Sequence, residues 1–236
     1  MEKGKLFIVP TPIGNLRDMT YRGVETLKEV DIIFAEDTRV SRKLLTFYNI
    51  EKRLISYHKY NEHKTVYKVI DYLITGKNVA LISDAGTPGI SDPGFLLIRE
   101  CINNGIEVIV LPGATALIPA LVNSGLPMER FVFEGFLPDK HGRKKRLEAL
   151  AKEERTIIIY VPPHKLINTL RDLITYMGAD RYVSVSREIS KIFEQTIRGT
   201  LKQVKDYFTE FEPKGEFVIV IEGYRYYQKR KNEEKN

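Results

Sequence analysis

A single cysteine, Cys101, stands in 236 residues, so no intrachain disulfide can form. It falls on the apolar face of a helical pattern and reads as core rather than nucleophile. No apolar run approaches the roughly 20 residues that span a bilayer. The opening Met1-Glu2-Lys3-Gly4-Lys5 runs straight into a strand pattern rather than a signal sequence, so a cytoplasmic location is expected. The histidines, His58, His63, His141 and His164, have no paired ligand spacing and no cysteine partners, so no metal site is supported. Neither a G-x-G-x-x-G fingerprint after the first strand nor a G-x-x-x-x-G-K-[ST] loop is present, which removes the usual support for dinucleotide and P-loop readings. No internal repeat or low-complexity core segment occurs. A net charge of +6 leans toward an anionic partner, nucleic acid included, but is too small to decide the matter.

What is present centres on residues 83–94, Ser-Asp-Ala-Gly-Thr-Pro-Gly-Ile-Ser-Asp-Pro-Gly. The apolar run Val79 to Ile82 before it reads as a buried strand, and Leu97, Ile98, Cys101 and Ile102 after it recur at helical spacing. Asp92 is expected to cap that helix, Pro93 to occupy its first position and Gly105 to end it. The glycines allow the backbone to approach a ligand closely, although the same residues also make a plain turn between strand and helix. Similar loops follow three other apolar strands, at Pro10 to Leu16, Glu36 to Arg39 and Pro112 to Ala116. Strands alternating with helices predict a parallel sheet covered on both faces, with ligands bound beyond the carboxyl ends of the strands.

Beyond Ala116 the rhythm changes. Strand patterns at Phe131 to Phe136, Thr156 to Tyr160, Tyr182 to Arg187, Phe193 to Ile197 and Phe217 to Ile221 predict a mixed sheet with helices. The expected organisation is an α/β chain of two domains: residues 1–115, a junction at 116–127, a mixed-sheet domain at 128–226 and a charged, disordered tail at 227–236.

The blocks Thr11 to Leu16, Glu36 to Arg39, Ser83 to Gly94 and Leu111 to Ala114, followed by Glu134 to Pro138, Ser186-Arg187-Glu188, Arg198-Gly199-Thr200 and Gly215-Glu216-Phe217, resemble the ribosomal RNA small subunit methyltransferase I family of the tetrapyrrole methylase superfamily. The resemblance runs in order from about Leu6 to Gly223. It implies a two-domain tetrapyrrole-methylase-like fold, a parallel-sheet N-terminal and a mixed-sheet C-terminal domain with the cofactor cleft between them. It also implies S-adenosylmethionine as cofactor, a homodimer, and methylation of the ribose 2′-hydroxyl of one cytidine in the decoding region of 16S ribosomal RNA, as naked RNA or in the 30S subunit. By position, the methionine part is expected against Asp84, Ala85, Gly86, Thr87 and Ile90, with Pro12, Thr115 and Ala116 lining the same cleft and Phe136, Leu137 and Tyr160 closing over the adenosine. One departure stands out: where the family reads Tyr-Glu-Ser-Pro-His-Arg, this chain has Tyr160-Val161-Pro162-Pro163-His164-Lys165.

Methyl transfer to a hydroxyl is an in-line displacement that depends on alignment and gains from a general base. Glu36 and Asp37, with Arg39 to orient a charged group, are the catalytic candidates, and a helix cap explains the same residues equally well. Asn15 and Asp18 are weaker candidates for the substrate ribose beside a simple turn role. Arg143, Lys144, Lys145 and Arg146 are the expected RNA contacts, acting on phosphates, while a solvated helix face is the plainer alternative. Tyr57, His58 and Tyr60 are candidates to stack on unpaired bases. Two competing functions remain open: a methyltransferase acting on a tetrapyrrole or other metabolite, and a non-catalytic RNA- or ribosome-binding protein.

Overall fold

Strands that are apolar at every position need cover on both faces, and the helices between them supply it. In the computed structural model, which describes residues 2–234, four such strands and one partly polar edge strand alternate with helices through the first half. They are β1 (Leu6–Ile8), α1 (Tyr21–Glu29), β2 (Ile32–Ala35), α2 (Thr38–Phe47), β3 (Arg53–Ser56), α3 (Glu62–Ile74), β4 (Val79–Ile82), α4 (Phe95–Asn103) and β5 (Val108–Val110). Together they make the first of two units, Met1–Thr115. The sheet order is β3-β2-β4-β1-β5, with every pairing parallel. Alternate strand residues face opposite layers. Leu6, Ile8, Phe34 and Leu81 pack against Val69 and Leu73 of α3 and Leu97 of α4, whereas Ile33, Ala80 and Ile82 pack against Leu27 of α1 and Leu45 of α2. Thr20 caps α1 by accepting a hydrogen bond from the Gly23 amide at 3.0 Å.

The second unit, Ala116–Asn236, contains α5 (Leu117–Ser124), β6 (Phe131–Phe136), α6 (Arg143–Ala151), β7 (Thr156–Val161), α7 (Leu166–Met177), β8 (Tyr182–Arg187), β9 (Gln195–Thr200), α8 (Leu201–Glu210), β10 (Phe217–Ile221) and α9 (Tyr224–Glu233). Its sheet runs β6-β7-β10-β8-β9, with β6 and β7 parallel and the other neighbours antiparallel. One face packs on α6, α7 and α8 through Leu147, Leu170 and Phe208, and the other packs on α5.

Four expectations are corrected. Segment 116–127 does more than join domains: Leu117, Ala120 and Leu121 of α5 are buried against Ile158, Val218 and Val220. Residues 227–234 of the expected disordered tail are ordered, continuing α9 into its carboxyl-terminal turn. That helix is anchored by Arg181, only 1% exposed, whose Nε donates to the Glu222 carbonyl at 2.8 Å while the guanidinium lies 5.5 and 5.1 Å from the ring centroids of Tyr224 and Tyr227. Arg230 adds a 2.9 Å bond to the buried Glu222 carboxylate. The cap of α4 is Gly94, at φ +154, so Asp92 and Pro93 precede the helix instead of opening it. A side chain on Gly94 would bring a Cβ within 3.1 Å of the Gly89 amide nitrogen, a tight approach at a φ that side chains disfavour. Tyr57 has no solvent exposure and belongs to the core under α3 and α4, which removes it from the base-stacking candidates.

Candidate active site

In a parallel sheet all carboxyl ends of the strands open on one edge, and in the first unit the loops there are tied together. The Thr11 and Gly86 amides each donate to the other residue's carbonyl at 2.9 Å, joining the loops after β1 and β4. Thr11 Oγ1 donates to the Ser83 carbonyl at 3.0 Å, and Thr87 Oγ1 donates to the Ala114 carbonyl at 3.0 Å, which brings in the loop after β5. Gly86 holds φ +87, a conformation that side chains disfavour, and this turns the loop back toward β1. The result places Pro12, Asp84, Ala85, Gly86, Thr87 and Thr115 in one tied cluster of loops, with Ala85 and Ile90 exposed.

The loop after β2 joins the same cluster, because Asp84 Oδ1 accepts a hydrogen bond from the Asp37 amide at 2.9 Å. The three catalytic candidates then separate. Asp37 caps α2, accepting from the Arg39 amide at 2.8 Å and from Arg39 Nη2 at 2.6 Å. The side-chain bond from Arg39 holds its carboxyl down to about 2, so it stays ionised and fully engaged. Arg39 pairs with it from the surface, its side chain 88% exposed. Glu36 is different: burial, and then the charge of Asp84, push its pKa up, and burial likewise raises Asp84. Two half-buried carboxyls of raised pKa therefore meet at the ends of adjacent strands, the electrostatic pattern of a site that works on charge.

Held ionised, two such carboxyls work against folding. A carboxyl whose folded pKa lies above its unfolded value opposes folding whenever it is ionised, fully above the folded pKa and not at all below the unfolded one. Glu36→Gln is therefore expected to raise Tm at pH 7 by about 2 °C, a small gain because the half-exposed group is screened by water. The gain should shrink as pH falls through the raised pKa and vanish below the ordinary carboxylate value. Thermal scans from pH 4 to 8 check this, and a gain that is constant with pH would remove the electrostatic explanation.

In the second unit, a bulge between Phe133 and Gly135 shifts the register so that Phe136 comes opposite Tyr160. Their rings meet edge to face at 5.6 Å, and Phe133 meets Tyr160 at 4.9 Å. Phe136 remains 55% exposed, an aromatic surface held in place without being covered. Beside it lies a pocket of about 430 Å³ lined by Leu137, Pro138, Arg143, Tyr160, Lys165 and Thr169. Lys165 and Thr169 were not foreseen: the first looks like one more surface lysine, and the second sits inside a helix with no motif around it. Val161, at the departure noted above, is buried at the end of β7 and packs in the core of this unit.

The sequence profile of the tetrapyrrole (corrin/porphyrin) methylases matches residues 5–205. A ribosomal RNA small subunit methyltransferase I from Synechocystis is 55% identical over 221 residues, spanning 93% of this chain and 79% of that protein. The chain belongs to this methyltransferase family. The Thermotoga maritima member is 45% identical and is matched over 99% of its length. Among solved structures, diphthine synthase superposes with a TM-score of 0.73 at 15% identity, covering 93% of this chain and 90% of that one. A Thermus thermophilus uroporphyrin-III C-methyl transferase complexed with S-adenyl homocysteine gives 0.63 at 18% identity, covering 92% and 97%. At such low identities these two speak for the fold alone. As a family member the chain is a methyltransferase, and its two units, one parallel-sheet and one mixed-sheet, have the family architecture.

Proposed function

We propose that this protein transfers a methyl group from S-adenosylmethionine to the ribose 2′-hydroxyl of a cytidine in 16S ribosomal RNA, in the decoding region, and that it acts in the cytoplasm as a homodimer. The observation that carries the reading is the pair of half-buried carboxyls, Glu36 and Asp84, set in tied loops at the sheet edge of a chain whose relatives are named ribosomal RNA methyltransferases.

The residues suit this cofactor. Its methionine part carries an amino group and a sulfonium, both cationic, and the first unit offers Glu36, Asp84 and backbone carbonyls beside the exposed Ala85 and Ile90. Its adenosine is flat and apolar on its faces, and Phe136, Leu137 and Tyr160 offer an aromatic and aliphatic wall. When bound, S-adenosylmethionine supplies an electrophilic methyl group. Glu36 then accepts the hydroxyl proton at its carboxylate, a task for which a raised pKa suits it better than the strongly ionised Asp37. The tied loops fix the approach, so that alignment supplies much of the rate.

For RNA, the basic run divides. Arg143 and Arg146 are committed within the protein, Arg143 to Asp172 and Arg146 to Glu134. Lys144, mostly exposed and only 3.9 Å from Glu148, and Lys145 are the members available to phosphates.

The test is transfer of labelled methyl to 30S subunits from cells lacking the activity, followed by nucleoside analysis. Label in 2′-O-methylcytidine is expected. Label only in small molecules would favour the metabolite methyltransferase, and absence of cofactor binding would favour a non-catalytic protein. Lys144→Glu combined with Lys145→Glu is expected to weaken 30S binding about tenfold at low salt and to flatten its salt dependence, with cofactor affinity unchanged. Light scattering on the eluting protein checks the homodimer.

A further inference from the structure

Arg143 stands first in a run of four basic residues, yet its surroundings differ from those of the next. Its side chain is 17% exposed against 77% for Lys144. The guanidinium makes three bonds to three places: Nη1 donates to the Pro138 carbonyl at 3.1 Å, Nε to Asp172 Oδ2 at 2.8 Å and Nη2 to Thr169 Oγ1 at 3.2 Å. Asp172 and Thr169 both lie on α7, and Thr169 is buried. Pro138 belongs to the loop that carries the chain from Phe136 to α6. A planar fork with fixed donor directions thus fastens that loop to a helix that also lines the pocket.

We infer that Arg143 is a positioning residue for the cofactor: it holds the segment Phe136 to Pro138 in its binding shape before the adenosine arrives. The inference rests on the reading that this pocket receives the adenosine part. Asp139 and Lys165 also pair across the pocket rim, but Asp139 is 69% exposed, and an ion pair so open to water holds a loop weakly. With Arg143 in place the loop is ordered in advance, so binding loses less to the ordering of residues that touch the ligand.

The experiment is calorimetry with S-adenosylmethionine and S-adenosylhomocysteine on Arg143→Met, Arg143→Lys and Asp172→Asn, alongside steady-state kinetics and 30S binding at two salt concentrations. Arg143→Met is expected to raise the cofactor Kd about tenfold, the effect of losing charge-assisted hydrogen bonds. KM for the cofactor should rise with it, while kcat at saturating cofactor, 30S affinity and its salt slope stay near wild type. Arg143→Lys should fail to rescue, since a point charge cannot make three bonds at fixed angles. Asp172→Asn, which leaves the bonds to Pro138 and Thr169, should raise Kd by less, and it carries the test if Arg143→Met does not fold.

An unchanged cofactor Kd in folded Arg143→Met overturns the inference. So does a weakened 30S complex whose salt slope falls by about one, which would make Arg143 a phosphate contact. If the wild-type chain binds no cofactor, the reading of the pocket fails and the clamp with it. If the wild type binds and the variants bind equally, only the clamp fails.

Discussion

Asp84→Arg is expected to abolish cofactor binding at concentrations that saturate the wild type, a loss of roughly a hundredfold or more, while the protein remains folded. Under the proposed function the carboxylate faces the cationic part of the ligand, and an arginine there sets like charges against each other in a half-buried site. The fold should survive because Asp84 lies in a loop and its carboxylate gives up one hydrogen bond, accepted from the Asp37 amide. Calorimetry together with circular dichroism separates the two effects. Retained affinity in the folded variant would move the methionine part of the cofactor away from this loop.

Arg181→Ala is expected to have the largest effect on stability, roughly 3 to 5 kcal/mol, because it leaves a cavity and strips several buried groups of their partner. Burial pushes the guanidinium pKa down, so the site bears a desolvation cost that the Glu222 and Ala151 carbonyls and the two tyrosine rings offset only while all are present. The loss should be read by urea unfolding, and amide exchange should show α9 opening before the sheet. Arg181→Lys should fall between, keeping a charge without the fork. A midpoint near wild type for the alanine variant would mean that the remaining ties, Arg230 to Glu222, Lys231 to Asp180 and the Tyr224 amide to the Glu153 carbonyl, suffice to fasten α9.

These cases mark where the sequence could be read. The loop at 83–94 was legible because glycine, proline and small polar residues between an apolar strand and an amphipathic helix have local meanings. For the cap of the following helix Asp92 and Pro93 offer the usual signal, but the backbone turns in at Gly94, φ +154, a conformation no local pattern announces. β3 escaped notice because it has only two apolar residues and is partly exposed at an edge. The helix at the tail is fixed by Arg181, some 40 residues before it, and its own composition says only that it is charged and aromatic. The same limit applies to Arg143 and Lys144. They are adjacent and alike in sequence, and only α7, some 26 to 29 residues on, engages one and not the other. Glu36 and Asp37 were grouped for the same reason, and it is the cap of α2 that separates them.

The order of strands also sets when each half can be completed during synthesis. In the first unit β1 lies inside the sheet, and its partners β4 and β5 are about 70 and 100 residues further along. That sheet can close once β5 has left the ribosome, while the second half is still being made. In the second unit the middle strand is β10, the last to be made, and it pairs with both β7 and β8. Until it emerges, β6 with β7 and β8 with β9 are two separate pairs of strands, with no strand to join them into one sheet. The mixed sheet must therefore form after translation of its final strand, in one late step, and a chain that stalls before Phe217 would carry a finished first unit and an unfolded second one.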